Sequence, residues 1–300
     1  MRRLAAAALL LLFATPGQAA VFGRNRMHLL SPRMEAKLTP ETRANLRRTL
    51  SLNGGTAFLV SVTGGKGLVM TNEHVVRGQG AGARITFYEG DRPVASAPTG
   101  RVLSQSEKLD YALVEVDLSA LPAKLVGTAA KLRDGAVRPG EHTYKVGFPA
   151  LSLLETPAYG NFDWTVNDRK QRFGSQPKRM VISAGHEIGG GKVKLFHDPD
   201  PRPGHRAAVP RYSIALDDSS LPGNSGSPVF SAVTHEVVAL HWAGGTSRVG
   251  SDPALHDGDR WDSANYAVPM SKVLDHLRTQ LEGGALPVDV RAQVGALTKR

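Results

Sequence analysis

The sequence contains no cysteine, which excludes disulfide bonds, thiolate nucleophiles and thiolate metal sites. Aromatic residues are also sparse, at 6% of the 300 residues. Stability must therefore come from a packed aliphatic core, which a chain of this length can build as one large domain or as two small ones.

Long hydrophobic runs are lacking as well, apart from one short run at the N-terminus. Residues Leu4–Ala14 are apolar and uncharged, follow two arginines and precede several small residues. This run is well short of the roughly 20 apolar residues that span a bilayer. The pattern predicts a signal peptide over residues 1–20, and hence a secreted or periplasmic protein with no membrane span.

Acidic residues are too few to balance the basic ones, so the net charge is +10. Such an excess can attract nucleic acid or anionic surfaces. Here the basic residues are dispersed, and no aromatic-interleaved motif accompanies them. We interpret the charge as a solvated surface and expect no specific nucleic-acid partner. The alternative, a nucleic-acid binder, predicts retention on DNA that falls steeply with salt.

Short apolar runs separated by glycine-rich turns occupy most of the chain. Gly55–Val62 and Leu68–Thr71, joined by a glycine-rich turn, predict a β-hairpin. Further strands are predicted at residues 84–88, 101–103, 111–116, 144–148, 180–184, 212–216, 227–230, 237–242 and 266–268. This pattern favours an all-β fold of two packed antiparallel β-barrels rather than alternating strands and helices.

Helices are predicted on either side of this β-rich region. Thr39 can cap a short helix that begins at Pro40. The clearest helix is Ser271–Glu282, which has one apolar stripe and Ser271 as its cap. We expect this helix to pack against the second barrel.

The domain plan follows from these elements. It comprises a first barrel with a basic N-terminal arm over residues 21–125, a second barrel with the terminal helix over residues 126–283, and a flexible tail over residues 284–300. Residues 150–177 and 189–211 are interpreted as long loops, a kind of segment that often borders a functional cleft. Whether residues 21 to about 50 are a removable propeptide stays open.

Three stretches carry residues suited to nucleophilic catalysis: Thr71–Val76 with His74, Leu109–Leu113 with Asp110, and Gly223–Pro228 with Ser225. A serine needs a neighbouring base to become a nucleophile, and the base needs a group that fixes its tautomer. Each stretch alone is more often a turn or a structural residue. Their joint presence predicts Ser225 as nucleophile, His74 as base and Asp110 as the group that orients it.

The serine stretch also predicts an oxyanion hole. Glycines on both sides of Asn224 and Ser225 allow a tight turn with unusual backbone angles. The backbone amides of Gly223 and Ser225 could then converge on the negatively charged oxygen of a tetrahedral intermediate.

The three stretches resemble the motifs of the trypsin-like serine peptidases, in the same order along the chain. The serine stretch together with Glu236–Trp242 resembles the bacterial glutamyl-endopeptidase branch. The resemblance extends from about Gly54 to Leu281. It implies a chymotrypsin-like double barrel, polypeptide substrates, an acyl-enzyme on Ser225 and no cofactor. We expect a monomer.

Substrate preference depends on departures from the digestive members of that family. Their serine motif has an aspartate where this chain has Asn224, so the ion pair by which they are activated is not expected here. Their acidic pocket floor corresponds to Ser219, which weakens a preference for Lys or Arg. The glutamyl-specific branch binds the substrate carboxylate with a hydroxyl and a histidine, and Ser220 and His241 match those positions.

The resemblance also places Trp242 and Ala243, with His241, on a strand that pairs with the substrate backbone. A partly buried His241 could donate a hydrogen bond to a carboxylate, although it could equally pack beside Trp242. The rival from another class is a catalytically silent protease-fold protein that binds peptides or envelope components.

A metal site is not expected. The residues that come nearest to metal-ligand spacing are ordinary polar loop residues in our interpretation; they are Asp257, Asp259, Asp262, His186, Glu187, His197 and His205.

Overall fold

The computed structural model describes residues 27–77, 83–90, 92–126, 128–152, 178–193, 211–244 and 264–299. The predicted signal peptide, residues 1–20, lies outside the described residues, as do residues 153–177 and 194–210 of the two predicted loops. The metal candidates Asp257, Asp259, Asp262, His197 and His205 lie outside them too.

The described residues form thirteen strands and six helices. In chain order they are β1 (Met27–Leu29), α1 (Pro32–Glu35), α2 (Pro40–Arg48), β2 (Thr49–Leu52), β3 (Gly55–Thr63), β4 (Lys66–Thr71), α3 (Glu73–Val76), β5 (Arg84–Glu89), β6 (Arg92–Ser106), β7 (Tyr111–Asp117), α4 (Ala123–Val126), β8 (His142–Gly147), β9 (Val181–Val193), β10 (Arg211–Leu216), β11 (Pro228–Ser231), β12 (Val237–Gly244), β13 (Asn265–Pro269), α5 (Met270–Glu282) and α6 (Val288–Thr298).

The first barrel closes in the strand order β2-β3-β4-β7-β6-β5, with every neighbouring pair antiparallel. The predicted hairpin is β3 and β4, and Gly64 and Gly65 of its turn have φ angles of 56° and 76°. Apolar side chains fill the interior, among them Leu59, Val69 and Ile85.

The second barrel closes in the order β9-β10-β13-β12-β11-β8, because the long strand β9 pairs with β8 over its first half and with β10 over its second. β1 pairs antiparallel with residues 181–183 at the start of β9. Two closed six-stranded antiparallel barrels confirm the predicted fold class.

Two local expectations are corrected, and a third is confirmed. Residues 189–193 continue β9 instead of starting a loop, since glycines at this point let the backbone approach β10 closely; a Cβ on Gly190 would lie 3.1 Å from the Ser213 carbonyl. Helix α5 begins at Met270 after Pro269, so Ser271 lies inside it and is not its cap. Thr39 does cap α2, as predicted, by accepting from the Thr42 N–H.

The expected flexible tail contains helix α6. Val290 and Val294 lie four residues apart on one helix face, and both are buried in the core. Gln293 of this helix donates a hydrogen bond to the Ser61 hydroxyl at 2.8 Å, and Asp289 forms an ion pair with Arg101. These contacts order the segment because they bury apolar surface against the first barrel.

Helix α5 also joins the barrels. His276 Nδ1 lies 2.7 Å from the Tyr111 hydroxyl, which in turn lies 2.6 Å from Oγ of Ser104. Tyr111 directly follows Asp110, so helix α5 supports the residue next to the predicted catalytic aspartate. Within the described residues, every helix is too short or too polar to cross a membrane.

Candidate active site

His74 and Asp110 form a hydrogen-bonded pair at one end of the first barrel. Nδ1 of His74 lies 2.7 Å from Oδ2 of Asp110, and the backbone N–H of His74 donates to Oδ1 at 3.1 Å. The neighbouring strands β4 and β7 bring the two residues together, since His74 follows β4 and Asp110 precedes β7. Two contacts with one carboxylate orient the imidazole and leave Nε2 for a second partner.

The turn that carries Asp110 is held by Asn72. Asp110 has a φ of 47°, a left-handed conformation that aspartate tolerates better than most residues. The side-chain amide of Asn72 donates to the Asp110 carbonyl at 2.7 Å, and both residues are completely buried. Asn72 therefore orients the aspartate instead of capping α3. Asn72 belongs to the histidine stretch, but only this contact between two loops reveals its role.

Asp110 keeps its negative charge although it is buried. Burial alone would raise the pKa of its carboxyl group, but the charge and hydrogen bonds of His74, together with the charge of Arg211, hold that pKa below its usual value. An ionised Asp110 stabilises the positive charge that His74 acquires when it accepts a proton. Since Arg211 begins β10, both barrels contribute to this carboxylate's environment.

Ser225 lies on a tight turn that two glycines make possible. Gly223 and Gly226 have φ angles of 95° and 85°. A Cβ on Gly223 would lie 2.7 Å from the Phe148 carbonyl, and one on Gly226 would lie 2.0 Å from the Thr56 carbonyl. Both the backbone conformation and the lack of space therefore require glycine here.

Thr56 of the first barrel anchors this turn. Its backbone N–H donates to the Ser225 carbonyl at 2.8 Å, and its hydroxyl donates to the Gly223 carbonyl at 2.9 Å. The same hydroxyl accepts from the Phe148 N–H at 3.0 Å. Sequence reasoning missed this role because Thr56 reads as an ordinary strand residue; its partners lie in the other barrel.

The amides predicted to form the oxyanion hole differ from the neighbouring amides of the serine turn in their hydrogen bonding within the described residues. Within the described residues, the N–H groups of Gly223 and Ser225 donate to no acceptor. The N–H groups of Asn224, Gly226 and Ser227, by contrast, donate to carbonyls at 3.1, 3.0 and 2.9 Å. Two N–H groups near the Ser225 side chain are thus available for an incoming oxygen.

Ser225 and His74 come from different barrels, and their segments meet at Gly55. A Cβ on Gly55 would lie 2.8 Å from the Val75 side chain and 3.0 Å from the Ser225 carbonyl. In the described structure the Ser225 hydroxyl and the His74 ring form no hydrogen bond with each other. Without substrate this contact is often long, and it tightens when substrate binds.

Residues 55–240 match the family model of the trypsin-like peptidase domain. The chain belongs to this family. Its membership supports a proteolytic function.

Solved structures of the same architecture include two forms of Rv3671c from M. tuberculosis H37Rv. The inactive form of a serine-to-alanine mutant has a TM-score of 0.52 at 17% identity, covering 90% of this chain and 99% of that chain. The active form of the Rv3671c protease has a TM-score of 0.50 at 16% identity, covering 86% of this chain and 92% of that chain. At these identities the likeness concerns the fold. No curated protein sequence matches the chain.

The predicted pocket residues of the peptidase domain lie in its interior. Ser219, Ser220 and His241 are 1%, 0% and 1% exposed. The Ser220 hydroxyl lies 2.8 Å from Nε2 of His241 and accepts from the Asn224 side chain at 3.3 Å. The expected partial burial of His241 is corrected to full burial, because its backbone N–H and carbonyl both bond to the serine turn, at Ser227 and Gly226.

His241 is neutral at pH 7 in this environment. Burial, followed by the positive charge of Lys145 and the influence of the His74 imidazole, lowers the pKa of the His241 imidazole well below the usual value. A backbone hydrogen bond with Tyr266 opposes this shift less strongly. A neutral imidazole can still donate one hydrogen bond to a ligand.

The two aspartates beside the pocket residues of the peptidase domain are already engaged. Asp217 accepts from the His186 N–H at 2.5 Å, and Asp218 forms an ion pair with Lys145 at 2.8 Å. Each carboxylate thus already has a partner within the protein, His186 for Asp217 and Lys145 for Asp218. The described residues contain no group of three or more His, Asp or Glu placed to hold a metal ion.

Trp242 and Ala243 continue β12 beyond His241. The Trp242 Nε1–H donates to the Ser213 hydroxyl at 2.9 Å, and the guanidinium of Arg211 lies 4.5 Å from the centre of the indole ring. Pairing of β12 with β11 ends at Leu240, so no described strand borders Trp242 and Ala243 on that side. An edge of this kind can bind an extended peptide by strand addition.

Proposed function

We propose that the protein is a serine endopeptidase that hydrolyses peptide bonds through an acyl-enzyme on Ser225. The observation that carries the proposal is the 2.7 Å contact between His74 and the buried, ionised Asp110. It supports the proposal because nucleophilic attack by serine needs an oriented base, and the segments of His74 and Ser225 both approach Gly55.

In the proposed mechanism, the Ser225 oxygen attacks the carbonyl carbon of the scissile bond while Nε2 of His74 takes the hydroxyl proton. The amides of Gly223 and Ser225 stabilise the negatively charged oxygen that forms. His74 then gives the proton to the departing amine, which leaves the acyl-enzyme. Water repeats the sequence in the second half-reaction, with His74 again acting as base, and restores the Ser225 hydroxyl.

The test is peptide hydrolysis by the wild-type protein and by Ser225→Ala. We expect the variant to lose essentially all activity, and Ser231→Ala, which removes another buried serine hydroxyl in the second barrel, to retain it. Equal activity of Ser225→Ala and wild type would refute the assignment. Labelling with a serine-reactive phosphonate distinguishes the rival: a peptide-binding protein without catalysis forms no adduct on Ser225.

A preference for acidic residues at P1, the substrate residue before the cleaved bond, is part of the proposal. It is supported by the hydroxyl and imidazole of Ser220 and His241, which lie together behind the serine turn, and by the engagement of Asp217 and Asp218. A peptide library should show cleavage after Glu or Asp. Cleavage after Arg, Leu or Ala without acidic preference would refute this part while leaving the peptidase assignment intact.

Export completes the proposal. Residues 1–20 are proposed as a cleaved signal peptide, which places the enzyme in the periplasm or the medium. N-terminal sequencing of the protein from these fractions should begin at Val21. Protein recovered only from the cytoplasm with Met1 in place would contradict export.

A further inference from the structure

The interior of the second barrel contains a lysine that the proposed mechanism does not use. Lys145 lies in the middle of β8 and is 1% exposed. A lysine is almost never fully buried unless its charge is paired. Its amino group lies 2.8 Å from Oδ2 of Asp218, which is 2% exposed.

Lys145 and His241 face the same side of the sheet. Lys145 pairs with Val229 on β11, and Val229 pairs with Ala239 on β12. His241 is two residues beyond Ala239, and side chains two residues apart on a strand point to the same face. Since Val229 and Ala239 belong to a buried core cluster, this face is the barrel interior.

Asp218 connects this ion pair to the pocket. It directly precedes Ser219 and Ser220, and Ser220 bonds to His241 at 2.8 Å. The side chain of Asn265 donates to the Asp218 carbonyl at 2.6 Å, so the start of this segment is held in place. The ion pair is thus one residue away from the groups that would contact a P1 side chain.

The positive charge of Lys145 affects the protonation of the predicted pocket residue His241. Besides burial, which is the larger cause, the charge of Lys145 lowers the pKa of His241. Because the free imidazole is neutral, Ser220 and His241 supply hydrogen bonds but no charge to a P1 carboxylate. A buried anion without a nearby positive charge would be strongly disfavoured.

We propose that Lys145 is a specificity-determining residue whose buried positive charge, held by Asp218, makes the P1 pocket favour acidic side chains. This inference rests on the proposed peptidase function and its acidic P1 preference. The lysine acts through its charge from inside the barrel, where its amino group lies against Asp218. In this proposal Lys145 favours a negatively charged P1 side chain, whereas Ser220 and His241 favour a P1 side chain that can form hydrogen bonds with them.

The experiment compares two peptides that differ only in Glu or Gln at P1, which have nearly the same shape and differ in charge. The Lys145→Met variant should lower the Glu-to-Gln ratio of kcat/KM about tenfold, because it removes one unit charge near the pocket in a poorly screened interior. Lys131→Met, which removes an exposed lysine, should leave the ratio unchanged. A merely structural pair would lower both rates equally and keep the ratio, and that result would overturn the proposal.

Asp218→Asn decides the question if Lys145→Met does not fold. This nearly isosteric change removes the negative end of the pair and should raise the Glu-to-Gln ratio. An unchanged or lower ratio overturns the proposal.

The wild-type protein separates the two levels of inference. Hydrolysis of neither peptide would overturn the peptidase function and this inference together. Equal hydrolysis of both would overturn the acidic preference and this inference but not the peptidase. A wild-type preference for Glu that survives in Lys145→Met would overturn the role of Lys145 alone.

Discussion

The two barrels have the same number of strands but different interiors. Within the described residues, no Asp, Glu, Lys or Arg is buried on a strand of the first barrel. Its buried acidic residues, Glu73 and Asp110, lie on α3 and on a turn at one end. On the strands of the second barrel, by contrast, Lys145, Arg211 and His241 are all buried.

The two barrels therefore differ in where their buried polar groups lie. The first barrel is an apolar frame that presents its polar groups from one end, where strand order determines their spacing. The second barrel contains polar groups along its strands, among them the predicted pocket residue His241. Lys145 in this interior is paired with Asp218, which offsets part of the free-energy cost of burying its charge.

The largest expected effect concerns the polar end of the first barrel. Asp110→Asn should lower kcat about 10⁴-fold, because the neutral amide no longer holds the required tautomer of His74 or stabilises its positive charge. Asp117→Asn, at the exposed far end of β7, is the matched control and should leave kcat unchanged. Steady-state kinetics on one peptide measures both. A decrease below tenfold in Asp110→Asn would contradict the assigned role.

The stabilities of the two barrels should respond differently to the loss of a lysine. Lys145→Met leaves Asp218 unpaired inside the second barrel and should lower the free energy of unfolding by about 3–5 kcal/mol. Lys66→Met removes an exposed contact of 3.6 Å with Glu115 on the first barrel and should cost less than about 1 kcal/mol. Urea denaturation compares the two variants, and equal losses would remove the distinction between the interiors.

Gly226→Ala tests the junction of the barrels. The added Cβ would collide with the Thr56 carbonyl at 2.0 Å, so the serine turn must move. We expect kcat/KM to fall about 10²-fold, as a displacement of about 1 Å at a nucleophile commonly causes. Gly140→Ala is the control: its φ of 72° is equally strained, but no atom lies within 4 Å of the new Cβ. Full activity in both variants would show that the contact with Thr56 does not position Ser225.

The smallest expected effect concerns Thr56, a residue of the first barrel whose hydroxyl forms hydrogen bonds with the second. Thr56→Val removes the hydroxyl that bonds to Gly223 and Phe148, and should lower kcat about tenfold through the loosened turn. Thr49→Val removes a buried hydroxyl that donates to the Asn45 carbonyl at 3.0 Å, away from the serine turn. It should lower the melting temperature without lowering kcat. Parallel changes in both variants would assign Thr56 a purely structural role.

Local patterns were sufficient to predict the barrels and the three motif stretches. Alternating apolar residues and glycine turns are patterns of a few neighbouring positions, so they can be recognised in the sequence. The glycines beside Ser225 predict a tight turn in the same way. The pairing of His74 with Asp110 was predicted from the joint presence of the three stretches, and the resemblance to a known family gave the same assignment.

The residues that were missed depend on contacts between distant segments. From the sequence alone, a lysine on a strand is expected to face solvent, and only the structure shows that Lys145 is buried against Asp218. Thr56 and Asn72 act through partners in other loops. Helix α6 was overlooked for a local reason, because Pro287 and Gly295 concealed the four-residue spacing of Val290 and Val294.

The contact between Tyr111 and His276 has a consequence for the timing of biosynthesis. The two residues are 165 positions apart, and a chain emerges from the ribosome N-terminus first. The first barrel therefore completes its own hydrophobic core long before the helix that supports the neighbour of Asp110 has been made. A nascent or truncated chain that ends before α5 would contain His74, Asp110 and Ser225 without this contact, so we expect the turn of Asp110 to be held less firmly in it.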